Sequence, residues 1–310
     1  MPSLRQLRSV VAVYEEGAFT RAAQRENATQ SGISQHVSAI EGELGTALFE
    51  RRSDGVLPTA AGRLFYRHAL AALRAIDVGV AEVQTAAGGV AGDVRVGLMP
   101  TFTRAALASA VERFLHTHPL VRLEVIEGYS GALSDMVRTG ALDFAIVPGG
   151  GDLAGLAAAP LSEDSEMLLS NPKRGLAHLR PVCLADLGPL KVVVPGKTNV
   201  RRSKLESYFA THGVQVARLL EMDSMFGTLE LVARSDWVTV LPGIICVADA
   251  DGTQRRVNPL ANPPLRSEFV VIERARHPAS PAARAFLETL RDEIFQLMSD
   301  FSARTMTPAE

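Results

Sequence analysis

The hydrophobic period of this chain changes once, at Gly88-Gly89, and the change divides what it can fold into. Before it, apolar residues recur at helical spacing, broken only by a short hairpin signal. After it, strand-like runs alternate with helical ones. The first pattern predicts an all-α N-terminal part, and the second an α/β unit with a parallel sheet and crossover helices. A length of 310 residues accommodates both.

In the N-terminal part, Leu4, Leu7, Val11 and Tyr14 fall on one helix face, and Gly17 is placed to stop that helix. A second helix is expected from Phe19-Thr20, with small Ala22 and Ala23 permitting a close crossing, and Asn27-Ala28 ending it. Thr29 is a natural N-cap for a third helix, in which Ile33, Val37, Ile40 and Leu44 are spaced for burial before Gly45. Its other face carries Gln30, Ser31, Ser34, Gln35, His36 and Ser38. Solvated helix faces are usually rich in Glu and Lys, whereas Gln and Ser hydrogen-bond to base edges without stripping a full charge of water. Two short helices in this order read as a helix-turn-helix, with Thr20, Arg21, Thr29, Gln30, Ser31, Ser34 and Gln35 toward DNA. Asp54-Gly55 marks a hairpin, and Arg51 and Arg52 before it form a wing able to reach phosphate or the minor groove. Charge alone does not advertise this role. The formal net charge is −2, and over residues 1–62 six arginines meet seven acidic groups.

The runs Phe19–Ala23, Thr29–Val37, Ile40–Gly45, Leu48–Arg51 and Leu57–Gly62 closely resemble the N-terminal domain of LysR-type transcription regulators. That resemblance implies that Gln30, Ser31, Ser34 and Gln35 face the major groove, that the wing arginine contacts the backbone, and that dimers assemble into tetramers. Many relatives have Pro where Ser31 stands and Arg where Gln35 stands, so their base preference does not transfer to this chain.

From Thr59 no proline occurs until Pro100, and Tyr66, Ala69, Leu73, Ile76, Val80, Val83 and Ala87 repeat as a heptad seam. Such a helix is either packed on its own domain or paired with another chain. A small N-terminal domain covers little of it, so a dimer is the expectation.

Beyond the glycines, strands are expected at Val94–Leu98, Leu123–Glu127, Phe144–Val147, Leu190–Val194, Leu219–Met222, Trp237–Leu241 and Phe269–Glu273, with helices between them and a closing helix over Pro281–Met298. Two α/β lobes joined by crossing strands resemble the periplasmic-binding-protein fold of LysR-type effector domains. The expected boundaries are 1–58 for the winged helix-turn-helix, 59–89 for the linker helix, 90–298 for the effector domain and 299–310 for a loose tail. Within the effector domain, lobe I takes 90–165 with 266–298 and lobe II takes 166–265.

Ligands of open α/β sheets sit beyond the carboxyl ends of strands, where helix N-termini offer N–H groups and positive partial charge. Thr101, Ser130, Thr198 and Ser224 stand at four such ends; a single such hydroxyl is more often a helix cap than a ligand contact, but four at equivalent strand ends shift the balance toward a cleft. With Asn199 and Pro242, and with Phe102, Met222 and Met225 as an apolar wall, they outline an effector site. Lys197, Arg201 and Arg202 nearby point to a small carboxylate or other organic anion. The expected partners are double-stranded DNA, this effector, further copies of the chain and RNA polymerase.

No phosphate loop, nucleophile elbow, dinucleotide glycine motif or metal-ligand spacing occurs, so neither an enzyme nor a cofactor or metal is expected. Cys183 and Cys246 are too few and too scattered for a disulfide framework, and no signal core or long apolar run opens the chain. A cytoplasmic protein follows as the expectation, and an exported solute receptor is disfavoured.

Overall fold

A computed structural model of the chain describes residues 1–52, 55–86, 90–197, 199–275 and 279–306. It divides into two compact units, Met1–Gly92 with Arg138–Ala141, and Asp93–Val137 with Leu142–Glu310.

The first unit contains α1 (Leu4–Glu16), α2 (Phe19–Arg25), α3 (Gln30–Leu44), the hairpin strands β1 (Phe49–Arg52) and β2 (Gly55–Pro58), and α4 (Ala60–Ala86). Ser3 and Gln6 form a capping box on α1, and Gly17 ends that helix in the left-handed region at φ 61°. Helix α1 is buried on two sides. Val10 and Val13 enter a core with Phe19, Ala22, Ile33, Val37, Ile40 and Leu48. Val11, on the stripe that the sequence exposed, packs instead with Leu7, Phe65, Tyr66, Ala69, Leu70 and Leu73 against α4. Leu44 stays exposed, because α3 has already passed the core by its last turn.

Two polar contacts set the wing. The Glu41 carboxylate accepts the backbone N–H groups of Leu48 (2.7 Å) and Phe49 (3.3 Å), fixing where β1 begins. The Val56 N–H donates to the Gly17 carbonyl at 3.0 Å, pinning β2 to the end of α1.

The second unit starts with β3 (Gly92–Leu98), α5 (Pro100–Ala105), α6 (Leu107–Thr117), β4 (Val121–Glu127), α7 (Ser130–Thr139), β5 (Phe144–Pro148) and β6 (Leu156–Ser170). It continues with β7 (Leu190–Val194), α8 (Val200–Thr211), β8 (Val216–Glu221), α9 (Met225–Arg234), β9 (Trp237–Pro242), α10 (Gly243–Cys246), β10 (Arg256–Pro259), β11 (Arg266–Arg274) and α11 (Pro281–Met306). The strand order is β4-β3-β5-β11-β6-β9-β7-β8, with β10 on β6. Pairing is parallel for β3 with β5 and for β7 with β8 and β9; the strands that join the lobes, β6 and β11, pair antiparallel.

The expected parallel pairing is present between β3 and β5 and between β7 and its neighbours β8 and β9, and the crossing strands β6 and β11 make the sheet mixed. Strand β6 runs beside β11 up to Ser165 and beside β9 from Glu166, so it passes from one lobe into the other. Alternation did not reveal it, because its first half lies at a solvent edge with Ala157–Pro160 and its second half is buried on both faces. Pro160 pairs with Val270 beside a bulge in which Leu161 is the extra residue, a position in a strand that tolerates proline. The helix expected after β3 is two helices, since Pro100 starts the first and the chain bends at Ala106.

Lobe I packs Phe102 edge-on to Phe269 (4.9 Å) and Phe114 against Phe286 (5.0 Å). Lobe II packs Val192, Val194, Leu205, Phe209, Val238 and Val240 on one side of its sheet. The loose tail expected from residue 299 is corrected here. Helix α11 continues to Met306, and Phe301 is buried with Met167, Leu169, Val232, Leu241 and Ile245 of lobe II. Helix α11 thus spans both lobes. Among the described residues, no helix is long and apolar enough to cross a membrane.

Candidate functional site

Two surfaces carry the functional residues. On the first unit, Thr29 caps α3 by accepting the Gly32 N–H at 3.1 Å, and its hydroxyl lies 3.2 Å from that of Ser31. Helix α3 then presents Gln30, Ser31 and Gln35 to solvent with Ser34 half-buried, beside exposed Thr20 and Arg21 at the start of α2. His36 leaves this face and pairs through Nδ1 with the Ser9 hydroxyl at 2.8 Å. The Arg21 guanidinium donates to the Glu16 carbonyl, from Nε at 3.0 Å. Arg51 and Arg52 end β1, opposite Val56 and Gly55. Their side chains lie outside the described part, as does the turn at 53–54.

Glu15 ties three helices together. It accepts the Tyr66 hydroxyl at 2.7 Å and pairs with Arg25 at 2.6 Å. Tyr66 also stacks on Tyr14 with ring centroids 3.9 Å apart. Burial, and then the Glu15 carboxylate, push the Tyr66 phenol well above its ordinary pKa. Tyr66, Ala69 and Leu73, the first half of the expected dimer seam, are therefore used within the unit against α1. Ile76, Val80 and Val83 remain exposed, and Ala87 falls outside the described residues.

On the second unit, four strand ends converge on a narrow cleft between the lobes, whose cavity of about 30 Å³ has room for little more than a water molecule. Met99, Pro100, Thr101 and Tyr129 line it from lobe I; Val193, Val194, Pro195, Asn199, Arg201, Met222, Met225, Thr228, Thr239 and Leu241 line it from lobe II. The Tyr129 hydroxyl donates across the cleft to the Asp223 carbonyl at 2.7 Å, and the Asp223 carboxylate accepts the Gly196 N–H at 2.8 Å. Burial and the neighbouring Asp223 and Glu127 raise the Tyr129 pKa.

Of the residues expected here, Thr101, Asn199, Met222 and Met225 line the cavity. Ser130 is buried at the start of α7, just behind Tyr129. The Ser224 hydroxyl caps α9, accepting the Gly227 N–H at 3.1 Å, and Asn199 similarly caps α8 by accepting the Arg201 N–H at 3.0 Å. Phe102 turns into the lobe I core rather than toward the cleft, because α5 starts at Pro100 and so aims its third residue inward. Pro242 is buried at the lobe crossing opposite Glu166. Lys197 is exposed, and Thr198 lies outside the described residues. Sequence reasoning missed Tyr129, one residue before the expected Ser130, together with Thr228 and Thr239, whose positions depend on how α9 and β9 pack.

Neither cysteine is in a disulfide, and burial pushes the Cys246 thiol well above its ordinary range. Among the described residues, no group of three or more His, Cys, Asp and Glu is placed to hold a metal ion.

Comparison with known proteins yields two family matches. Residues 4–63 match the model for the bacterial regulatory helix-turn-helix protein of the lysR family, and residues 87–294 match the LysR substrate binding domain. A probable hydrogen peroxide-inducible genes activator of Mycobacterium leprae is 30% identical over 242 residues, 78% of each chain. Among solved structures, a full-length OxyR variant from Pseudomonas aeruginosa has a TM-score of 0.70 at 23% identity, covering 94% of both chains. Full-length CbnR, complexed with its target DNA, has a TM-score of 0.65 at 20% identity, covering 94% of this chain and 99% of that one.

Proposed function

Because this chain belongs to the LysR family of bacterial transcription regulators, with a DNA-binding helix-turn-helix and an effector-binding domain, we propose that it reads a dyad-symmetric duplex through α3 and answers to a small organic anion in the interlobe cleft. The observation that carries the DNA half is the exposed, uncharged polar face of α3. Gln30 and Gln35 can pair bidentately with adenine, and Ser31 and Ser34 hydrogen-bond to several bases. Thr20, Arg21, Arg51 and Arg52 supply phosphate contacts around it.

The free half of the α4 seam (Ile76, Val80 and Val83) supports a dimer, which doubles the contacts of a domain whose own charge is unfavourable. Pairs of dimers, and contact with RNA polymerase in the cytoplasm, belong to the same reading. The cleft supports the effector half, since Thr101 and the first turn of α8, with Asn199 and Arg201, line a partly enclosed, mostly apolar space. A ligand that binds one lobe arrangement better than another shifts the population toward it.

The two cysteines of this chain favour the organic-anion reading over the peroxide-linked role that the name of the Mycobacterium leprae relative suggests. Burial pushes the Cys246 thiol well above its ordinary range, which disfavours the reactive thiolate, and Cys183 has no cysteine beside it in sequence.

The test is selection from random duplex DNA by the full-length protein at stated salt. Recovery of a dyad with a fixed half-site spacing is the expected result. Recovery of no site by folded, dimeric protein would remove the DNA-reading proposal.

A further inference from the structure

One buried guanidinium in the cleft has a bond left to make. Arg201 lies in the first turn of α8, lines the cavity, and has only 7% of its surface exposed. Its Nη2 donates to the Glu166 carboxylate at 2.6 Å and to the Val240 carbonyl at 3.3 Å. Its Nε is buried and has no hydrogen-bond partner among the described residues. Burying a charged donor without a partner is costly, and the structure offers no protein acceptor that removes the cost. An acceptor entering the cleft would do so, and an anionic one would make the stronger, charge-assisted bond.

The position of Glu166 adds a second consequence. It is the β6 residue at which the strand passes from β11 to β9, and its other carboxylate oxygen accepts the hydroxyl of Ser267 on β11 at 2.5 Å. Arg201, Glu166 and Ser267 thus form a buried polar chain from the cavity wall to both strands that join the lobes. With Glu166 only 1% exposed, water screens little of this interaction.

We propose that Arg201 is the residue that selects an anionic effector in this cleft, and that its ion pair with Glu166 links occupancy of the cleft to the crossing strands. This rests on the reading of the cleft as an effector site. The Tyr129–Asp223 hydrogen bond ties the lobes across the cleft that Arg201 lines, so in this proposal the lobes part to admit the ligand and its acceptor meets Nε as they close again. The ligand class is a carboxylate or another compact oxyanion with a small apolar body, which Met99, Met222 and Met225 would cover.

The experiment uses the full-length protein and a broad panel of aliphatic and aromatic carboxylates, each matched with its primary amide (acetate with acetamide, benzoate with benzamide, succinate with succinamide, and so on) at equal ionic strength. Ligand-dependent unfolding temperature finds the binding pairs, and calorimetry measures them. The wild type is expected to prefer at least one carboxylate over its amide by about tenfold or more. Because Arg201→Gln alone strands the Glu166 charge and threatens folding, the decisive variant is the double substitution Arg201→Gln with Glu166→Gln, a neutral pair of similar shape. It is expected to fold, to keep amide binding and to bring the carboxylate preference to near one. Arg201→Lys is expected to restore part of that preference.

A carboxylate preference that survives in the double variant overturns the role of Arg201. Amides favoured over carboxylates by the wild type overturn the anionic class while leaving the cleft as a binding site. Met222→Trp, which fills the cavity, separates the two levels of argument. If it leaves binding intact, or if no member of the panel binds the wild type, the effector reading of the cleft fails and the Arg201 proposal fails with it.

Discussion

Gly62 shows how much a single position can be constrained from outside its own helix. A Cβ there would lie 2.0 Å from the Leu48 carbonyl oxygen, which itself accepts the Thr59 N–H at 2.9 Å. Backbone meets backbone, so no side-chain rotation relieves the contact. Gly62→Ala should destabilise the winged unit by about 2 kcal/mol or more, seen as an earlier first transition in urea; an unchanged midpoint would disprove the constraint. Asp164 makes a different prediction. Its carboxylate accepts the Ile244 N–H at 2.7 Å, and burial, with Glu166 close by, pushes its pKa up to about 7. A carboxyl with a folded pKa above its unfolded value holds its proton more tightly when folded. It therefore favours folding at acid pH, and that contribution is lost as pH rises from about 4 to about 7. Measured against Asp164→Asn, the wild type should lose stability progressively between about pH 4 and pH 7 and level off above. A difference that stays flat across that range would show that the carboxyl titrates normally.

At the scale of the element, α4 and α11 both do two jobs along their length. The first turns of α4 pack on α1 through Tyr66, Ala69 and Leu73, whereas Val80 is 52% and Val83 71% exposed. An apolar stripe that continues into solvent suits a partner helix. Val80→Glu should raise the monomer fraction at micromolar concentration in sedimentation without unfolding the first unit; an unaltered dimer would place the interface elsewhere. Helix α11 begins in lobe I with Phe286 against Phe114 and ends with Phe301 in the core of lobe II. Phe301→Ala should cost about 3–4 kcal/mol in thermal or denaturant unfolding of the second unit. Removal of a loose tail would cost almost nothing, so the magnitude decides between the two descriptions.

For the whole molecule, the two units carry separate chemistries, and substitutions should separate them. Gln30→Ala should weaken binding to a selected site by about 1–3 kcal/mol with effector binding intact. Thr101→Ala should leave the DNA affinity of the effector-free protein unchanged and weaken the effector. Equal weakening of Gln30→Ala on specific and random duplex would mean that Gln30 contacts only backbone. Linkage requires that a ligand altering DNA affinity be bound with correspondingly altered affinity by the DNA complex, so titrations in both directions should agree.

Local structure in the first unit is legible from the residues alone, because caps, glycine stops and helical spacing act over a few residues. Gly17, Thr29 and Gly45 stand in the structure as the caps their positions predict, and the strand-end positions of Thr101 and Asn199 were equally readable. Tertiary structure alone decided which of these groups share a space. Strand β6 shows no alternation, since its neighbours change halfway; only pairing with β11 and then β9 makes it a strand. Tyr129 meets Asp223, and Arg201 meets Glu166, across 94 and 35 residues. No short-range signal encodes those meetings, because a hydrogen bond between distant residues depends on where the intervening chain returns. The same reason turned Phe102 into the core and Phe301 out of a supposed tail: burial is decided by what packs opposite a side chain, and that partner lies elsewhere in the sequence.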